Sequence, residues 1–328
     1  MNSRALKTHP KTLAAALLAS VGILIALGAM ARDDSPPPLN DDRIEALRAD
    51  PQVRALMDKT LKNLRFIEGG SFQMGDFGHL TRESDDKFLH PVVLDSFSMS
   101  AYKTTYEDHD VYTTAMGLPK VGAQMSPTNR VRPPKAGAGV NWYQARDYCQ
   151  WLGALLDLPM DLATEAQWEY AARNRGQNVA FATDTGEIDV GRNSWEYDQR
   201  EAMMSSLTDT GYNLPTLPVG QFPPTPLGLY DMMTDGFEWV LDWYGENYYR
   251  ESPVHNPRGP AKGPFKVLRA SPSRDGEALS HGDGVTVLRN KREPIPPNVN
   301  SLDPELKSNK SYDTTARCVV NLPRPVGK

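Results

Sequence analysis

The stretch LYDMMTDGFEWVLDWY, residues 229–244, sets Asp231, Asp235, Glu238 and Asp242 among bulky apolar side chains, with Gly236 between them. A carboxylate buried without a partner is strongly disfavoured and tends to take up a proton. Three arrangements satisfy such acids: solvent, an Arg or Lys partner, or a hard cation such as calcium. The stretch itself does not choose among them, so the rest of the chain has to.

A chain of 328 residues with 39% hydrophobic and 23% charged content has the composition of a soluble protein, long enough for one large core or two modest ones. Its formal net charge of -5, with no dense Lys/Arg block beyond the extreme N-terminus, lacks the electrostatic footprint of a nucleic-acid binder. The 27 prolines and 25 glycines are too many for a helical bundle and predict loops and short elements.

At the N-terminus Arg4, Lys7 and Lys11 precede an apolar run from Leu13, and Ala29-Met30-Ala31 follows it. This is the pattern of a secretory signal over residues 1–31, cleaved after Ala31, and it predicts a periplasmic protein. The alternative is an uncleaved anchor, since the run approaches the roughly 20 residues that span a bilayer. Peripheral association with a membrane is therefore left open. Cys149 and Cys318 are the only cysteines, and an even pair in an oxidising compartment is most simply one disulfide.

Residues 32–63 read as a polar spacer and short N-terminal helices broken at Pro51, with a globular domain over 64–328. FIEGGSFQMG predicts a strand, a tight turn and a second strand. Asn141 is a good N-cap for a helix that places Ala145, Tyr148, Cys149 and Leu152 on one face. Thr164 and Gln167 have capping-box spacing for a second helix with Trp168, Ala171 and Ala172 inward. Beyond Gly176 the pattern breaks into short apolar runs, and long ordered loops of that kind call for staples such as a disulfide or bound cations.

FIEGGSFQMG, VNWYQARDYCQWL, LPMDLATEAQWEYAARN, LPVGQFPPTPLGLYDMM, DGFEWVLDWY and KVLR stand in the order of the formylglycine-generating enzyme-like, or sulfatase-modifying factor, family, which the chain resembles from about Leu64 to Val320. The exported context and acidic N-terminal extension look most like members linked to type VI secretion. The resemblance implies a mixed α/β fold of C-type-lectin-like topology, low in regular secondary structure and often stabilised by calcium. It assigns one calcium site to the side chains of Asp231 and Glu238 and the carbonyls of Thr234 and Gly236. These acids meet only if the chain turns between them. A second site would draw on Asn193, Ser194, Asp209 and Gly211. Asp235 stands where the family commonly has asparagine, and reads as a surface acid. DYCQW and ARCVV match the family's structural disulfide, Cys149 to Cys318.

Formylglycine-generating members oxidise a substrate cysteine with copper and two cysteines that follow a V-x-R-G-G-S segment. Here that segment is KVLRASPSRDGEALSHGDG, which puts Asp275 and Ser280 at those positions and Ala270-Ser271 in place of Gly-Gly. Neither side chain supplies the soft thiolate that copper(I) requires. The six histidines show no pair at helical ligand spacing and read as solvated or hydrogen-bonded loop residues; only His281, beside Asp275, Glu277 and Asp283, forms a cluster near the former catalytic segment. The expectation is a calcium-bound, non-catalytic regulatory protein with neither copper nor iron. Its partner would be the periplasmic region of a membrane sensor or kinase module, or another periplasmic protein. The alternative is a metal-dependent oxidase acting on a periplasmic protein or metabolite.

Overall fold

The structure, a computed structural model, describes residues 38–81, 85–122, 132–208, 214, 216–270, 284–296 and 312–326. The expected signal segment 1–31, the second-site residues Asp209 and Gly211, and the segment holding Asp275, Glu277, Ser280, His281 and Asp283 lie outside the described residues.

Capping chemistry sets the first helices. α1 (Asp41–Ala49) and α2 (Pro51–Asn63) meet at Asp50, whose carboxylate accepts the N–H groups of Gln52 and Val53 at 2.7 and 3.1 Å, while Pro51 takes the first helical position, where no N–H is needed. β1 (Leu64–Ile67), β2 (Gly70–Met74), β3 (His90–Leu94) and β4 (Phe97–Ser100) follow, then α3 (Tyr106–Met116), α4 (Trp142–Leu156), β5 (Met160–Leu162) and α5 (Glu165–Ala172). Both predicted caps form as full capping boxes, Asn141 with Gln144 on α4 and Thr164 with Gln167 on α5. The remaining elements are α6 (Tyr197–Leu207), β6 (Phe237–Trp243), α7 (Tyr248–Glu251), β7 (Lys266–Arg269), β8 (Asn290–Arg292), β9 (Thr314–Thr315) and β10 (Cys318–Val320).

The strands make three sheets among the described residues. One is antiparallel with order β1-β4-β10-β5; β2 pairs with β3; and β8-β7-β6-β9 is antiparallel except for the parallel pair β6 and β9. The two strands of FIEGGSFQMG therefore do not pair with each other. They diverge into different sheets across Gly69, where an added Cβ would stand 2.3 Å from the Leu94 carbonyl oxygen, so the approach of two backbones requires glycine.

Side-chain alternation on the interior strands divides the core. On β10, Cys318 and Val320 face an apolar cluster shared with α2, α3 and α4, and Val319 faces a second cluster shared with β2, β3 and α5. On β6, Trp239 belongs to the first and Val240 to the second. A small third cluster gathers Trp195, Met204, Leu214 and Leu217.

Three expectations change. The helices placed ahead of a boundary at Leu64 are packed on the domain: Val53 and Leu56 are buried in the first cluster, and Arg48 donates to the Leu155 carbonyl and the Asp157 carboxylate at 2.8 and 2.6 Å. α5 is buried along all its residues, not only at Trp168, Ala171 and Ala172, because its acids have buried arginine partners. α6 was not expected; only Arg200 and Met204 are buried on it, so its apolar period is too weak to read.

Cys149 and Cys318 form the expected disulfide, with Cα atoms 5.5 Å apart and a separation of 169 in sequence. It joins α4 to an interior strand. Replacing either cysteine by serine is expected to lower unfolding stability by about 2–5 kcal/mol, measured by urea denaturation against non-reduced wild type. Labelling the unfolded, non-reduced protein should find no free thiol.

His109 on α3 is wholly buried against Tyr112 and Tyr148. Burial lowers its imidazole to about 4, with Asp110 pulling the other way. The unfolded chain takes up this proton near the ordinary value of about 6.5, so the contribution is intact above that pH and is lost as pH falls from about 6.5 toward 4. His109→Phe is expected to flatten that part of the stability profile; equal slopes for variant and wild type between pH 7 and 5 would refute the assignment.

Candidate functional site

The opening stretch folds as a tight turn leading into β6. Asp231, Asp235 and Gly236 have φ of 55°, 58° and 98°, the left-handed region, and this winding brings successive carbonyls to one point. At Gly236 the backbone is also hemmed in, since a Cβ would meet Thr216 Cγ2 at 3.0 Å and the Asp313 carbonyl oxygen at 3.1 Å. The carbonyl oxygens of Thr234, Asp235 and Gly236 accept hydrogen bonds from the Lys103 ammonium at 2.5, 2.9 and 3.0 Å. Lys103 lies between β4 and α3 and is 2% exposed. Burial lowers its pKa, while Glu238, Asp235 and Asp231 raise it.

Each acid of the stretch has a partner. Glu238, fully buried, accepts from Arg317 Nε and Nη2 at 2.7 and 2.8 Å and from the Trp168 indole at 3.0 Å. Burial alone would raise its pKa, but Arg317 outweighs it and holds the carboxyl below its usual range. Asp235 is buried, not the surface acid expected: it accepts from the Trp195 indole at 2.8 Å and has Arg200 at 3.8 Å. It thus docks the third cluster on the turn. Asp231 accepts the Gly220 N–H at 2.8 Å; burial pushes it up to about 6 against the pull of Lys103. Asp242 accepts the Glu165 N–H at 2.8 Å at the start of α5, and burial, reinforced by the Glu165 charge, pushes it up to about 7.

The structure therefore gathers Asp231, Thr234, Gly236 and Glu238 into one place, but the arrangement there does not fit a calcium ion. The convergent carbonyls are already taken by an ammonium, and both Glu238 oxygens by Arg317. At the second expected site Asn193 is tied into its own loop: its oxygen accepts the Asp189 N–H at 2.7 Å, and its amide donates to Asp184 and to the Glu187 carbonyl at 3.1 Å each. The Ser194 hydroxyl is buried without a hydrogen-bond partner among the described residues, an atom that a cation would satisfy, so of the described pair Ser194 fits a calcium site while the Asn193 side chain is already engaged. Among the described residues no three His, Cys, Asp or Glu side chains converge as a metal-ligating group.

A second buried network lies beneath the end of β7, where residues 271–283 begin. Glu165 accepts from Arg289 twice and from Arg269 once, all at 2.9 Å, and from the Tyr249 hydroxyl at 3.0 Å. Glu169 accepts from Arg269 at 2.9 Å, from Arg173 at 2.8 Å and from the Gly75 N–H at 3.0 Å. Against its burial, Arg289 and Arg269 hold Glu165 below its usual carboxylate range, and burial holds the Tyr249 hydroxyl well above its usual range, so both keep one protonation state near neutrality. The neighbouring group that titrates there is Asp242, on the Glu165 N–H. Ala270, which follows β7 where the family has glycine, keeps a left-handed φ of 63°, at a cost of roughly 1–2 kcal/mol for a residue with a Cβ. His79 and His255 are exposed, but His90 on β3 and His109 on α3 are buried, so the loop reading fails for both. His90 packs on Tyr249 with ring centroids 4.6 Å apart.

Sequence reasoning missed Lys103, Arg317, Arg269 and Arg289. The one available signal was an arginine inside the otherwise apolar run Ala316–Val320, a position that demands a buried acid.

A family model, the Sulfatase-modifying factor enzyme 1-like domain, matches residues 51–286. The serine/threonine-protein kinase pkn1 of Chlamydia pneumoniae is 29% identical over 250 residues, covering 71% of this chain and 36% of the kinase. The formylglycine-generating enzyme of Bos taurus is 26% identical over 245 residues, covering 62% of this chain and 63% of the enzyme. The chain thus spans little more than a third of the kinase's length. Among solved structures, PvdO from Pseudomonas aeruginosa superposes with a TM-score of 0.59 at 24% identity, over 79% of this chain and 94% of PvdO, which bears on the fold.

Glu238→Gln leaves the Arg317 guanidinium buried opposite a neutral amide and is expected to destabilise by about 3–5 kcal/mol; Arg317→Met, which strands the carboxylate, is expected to do the same. The double variant should cost clearly less than the sum in denaturant titrations, whereas additive losses would show that the pair is not coupled.

Proposed function

The chain belongs to the sulfatase-modifying factor enzyme 1-like family, and from that premise we propose that it is a non-catalytic periplasmic regulatory and binding protein built on the family's scaffold. One observation carries the reading: the chain has two cysteines, both buried and bonded to each other, and so keeps no thiol. Formylglycine-generating chemistry, as the family resemblance implies it, needs a pair of thiolates to hold copper(I), a role that hydroxyl and carboxylate groups do not fill. Asp275 and Ser280 occupy those positions in the sequence. Calcium enters the reading as a structural ion held by Asn193, Ser194, Asp209 and Gly211.

What remains of an enzyme scaffold without its nucleophiles is a rigid surface suited to recognising another protein. Similarity to a segment of proteins named serine/threonine kinases supports a kinase-associated setting. The resemblance to members linked to type VI secretion takes the proposal further. Its partner is the periplasmic region of the sensor module that activates a transmembrane threonine kinase controlling that secretion system.

The test has two arms. The domain from residue 32 onward, loaded with copper and given oxygen, reductant and a peptide bearing the sulfatase cysteine motif, is expected to yield no aldehyde by mass spectrometry. The same domain is expected to bind the periplasmic region of the sensor module and raise phosphorylation by the membrane-embedded kinase. Turnover of the peptide with bound copper or iron would install the metal-dependent oxidase instead; absence of both turnover and kinase stimulation would remove the proposed partner.

A further inference from the structure

Calcium takes six to eight oxygen ligands, many of them backbone carbonyls and carboxylates gathered by a turn. The carbonyls of Thr234, Asp235 and Gly236, with Asp231, Asp235 and Glu238 acting on the same point, make such a gathering. An ammonium carries three N–H donors and no acceptor, and at this point it meets three carbonyl oxygens. Its donors are all used.

Lys103 is also held there by its own segment. Ala101 N–H donates to the Asn63 carbonyl at 2.9 Å, Thr104 N–H to Ala316 at 2.8 Å, and the Thr104 carbonyl accepts from Ala138 at 2.8 Å. The lysine stem runs past Gly137, where an added Cβ would lie 3.6 Å from Lys103 Cδ. Backbone bonds on both sides of the residue, and a glycine beside the stem, aim the side chain at the carbonyls before any ion could arrive.

We propose that Lys103 is an intramolecular substitute for calcium: its ammonium fills the cation position of the 231–238 turn, so this turn folds without metal, and it becomes a calcium site only when the lysine is removed. The inference is independent of the regulatory reading, since it concerns which cation holds the turn and not what the surface binds. It also separates this turn from the position at Asn193 and Ser194, where no lysine is among the partners of the described residues. The domain would then keep its 231–238 turn in surroundings poor in calcium, and calcium could not control the protein through it.

Three full-domain variants and one crystal test the proposal. Lys103→Ser is expected to melt below wild type in chelator, to recover part of that deficit as calcium is raised into the millimolar range, and to hold one more calcium per chain than wild type by equilibrium dialysis. Adding Asp231→Asn to Lys103→Ser should remove the extra ion. Lys103→Met, which fills the space without charge, should melt lower than wild type and stay indifferent to calcium at this position. Should the variants fail to fold, crystals of the wild-type domain soaked in calcium still decide the matter: Lys103 is expected to remain on the three carbonyls. An anomalous calcium peak bound to Thr234 and Gly236, with the lysine displaced, would overturn the proposal. So would a folded Lys103→Ser that gains no ion, or a Lys103→Met as stable as wild type.

Discussion

Arg317 is the residue on which the two sheets and the turn between them depend. A guanidinium has five N–H donors in a fixed plane. In this chain they go to the two Glu238 oxygens and to the carbonyls of Ser100, Ala101 and Tyr230. One side chain therefore ties the start of β10 to the end of β4, the start of β6 and the turn that precedes it. Because it is 1% exposed, any rearrangement that separated these segments would strand a charge in the core. The neighbouring residue, Cys318, is fixed to α4 by the disulfide, so the arginine's position is set by a covalent bond on one side and by five acceptors on the other.

The same logic recurs in the α5 network. Burying ions does little to raise net stability, because desolvation cancels much of the attraction. What such pairs supply is selection among packings, since only one arrangement meets every donor and acceptor. Among the described residues of the second half, where long elements are few, this selection takes the place of extended sheets and long helices. Of the opening acids, Asp231, Asp235 and Glu238 lie among Lys103, Arg317 and Arg200 with two indole N–H groups, whereas Asp242 takes the Glu165 N–H at the start of α5.

Legibility in the sequence followed distance along the chain. The caps at Asn141 and Thr164 involve residues three apart, and both could be read directly. The inward face of Cys149 followed from helical period, and the class of fold from a string of motifs. The divergence of β1 and β2 at Gly69 could not be read, because what forbids a side chain there is the Leu94 carbonyl, far along the chain. The site was half visible for the same reason. Four acids in an apolar run announced that cations were needed, but Lys103 and Arg317 reach the turn from opposite ends of the domain, and no local pattern names them.

The position of β10 bears on the order in which the molecule can assemble. It lies between β4 and β5 in its sheet, and β9 completes the other large sheet beside β6, so strands of the last described segment fill interior or closing places whose neighbours were all synthesised earlier. Until residues 314–320 arrive, β4 and β5 have no common partner, Glu238 has no arginine, and Cys149 has no thiol to meet. A growing chain therefore cannot complete this core piecemeal. Contacts of such long sequence separation make for slow closure, and these wait on residues 314–320.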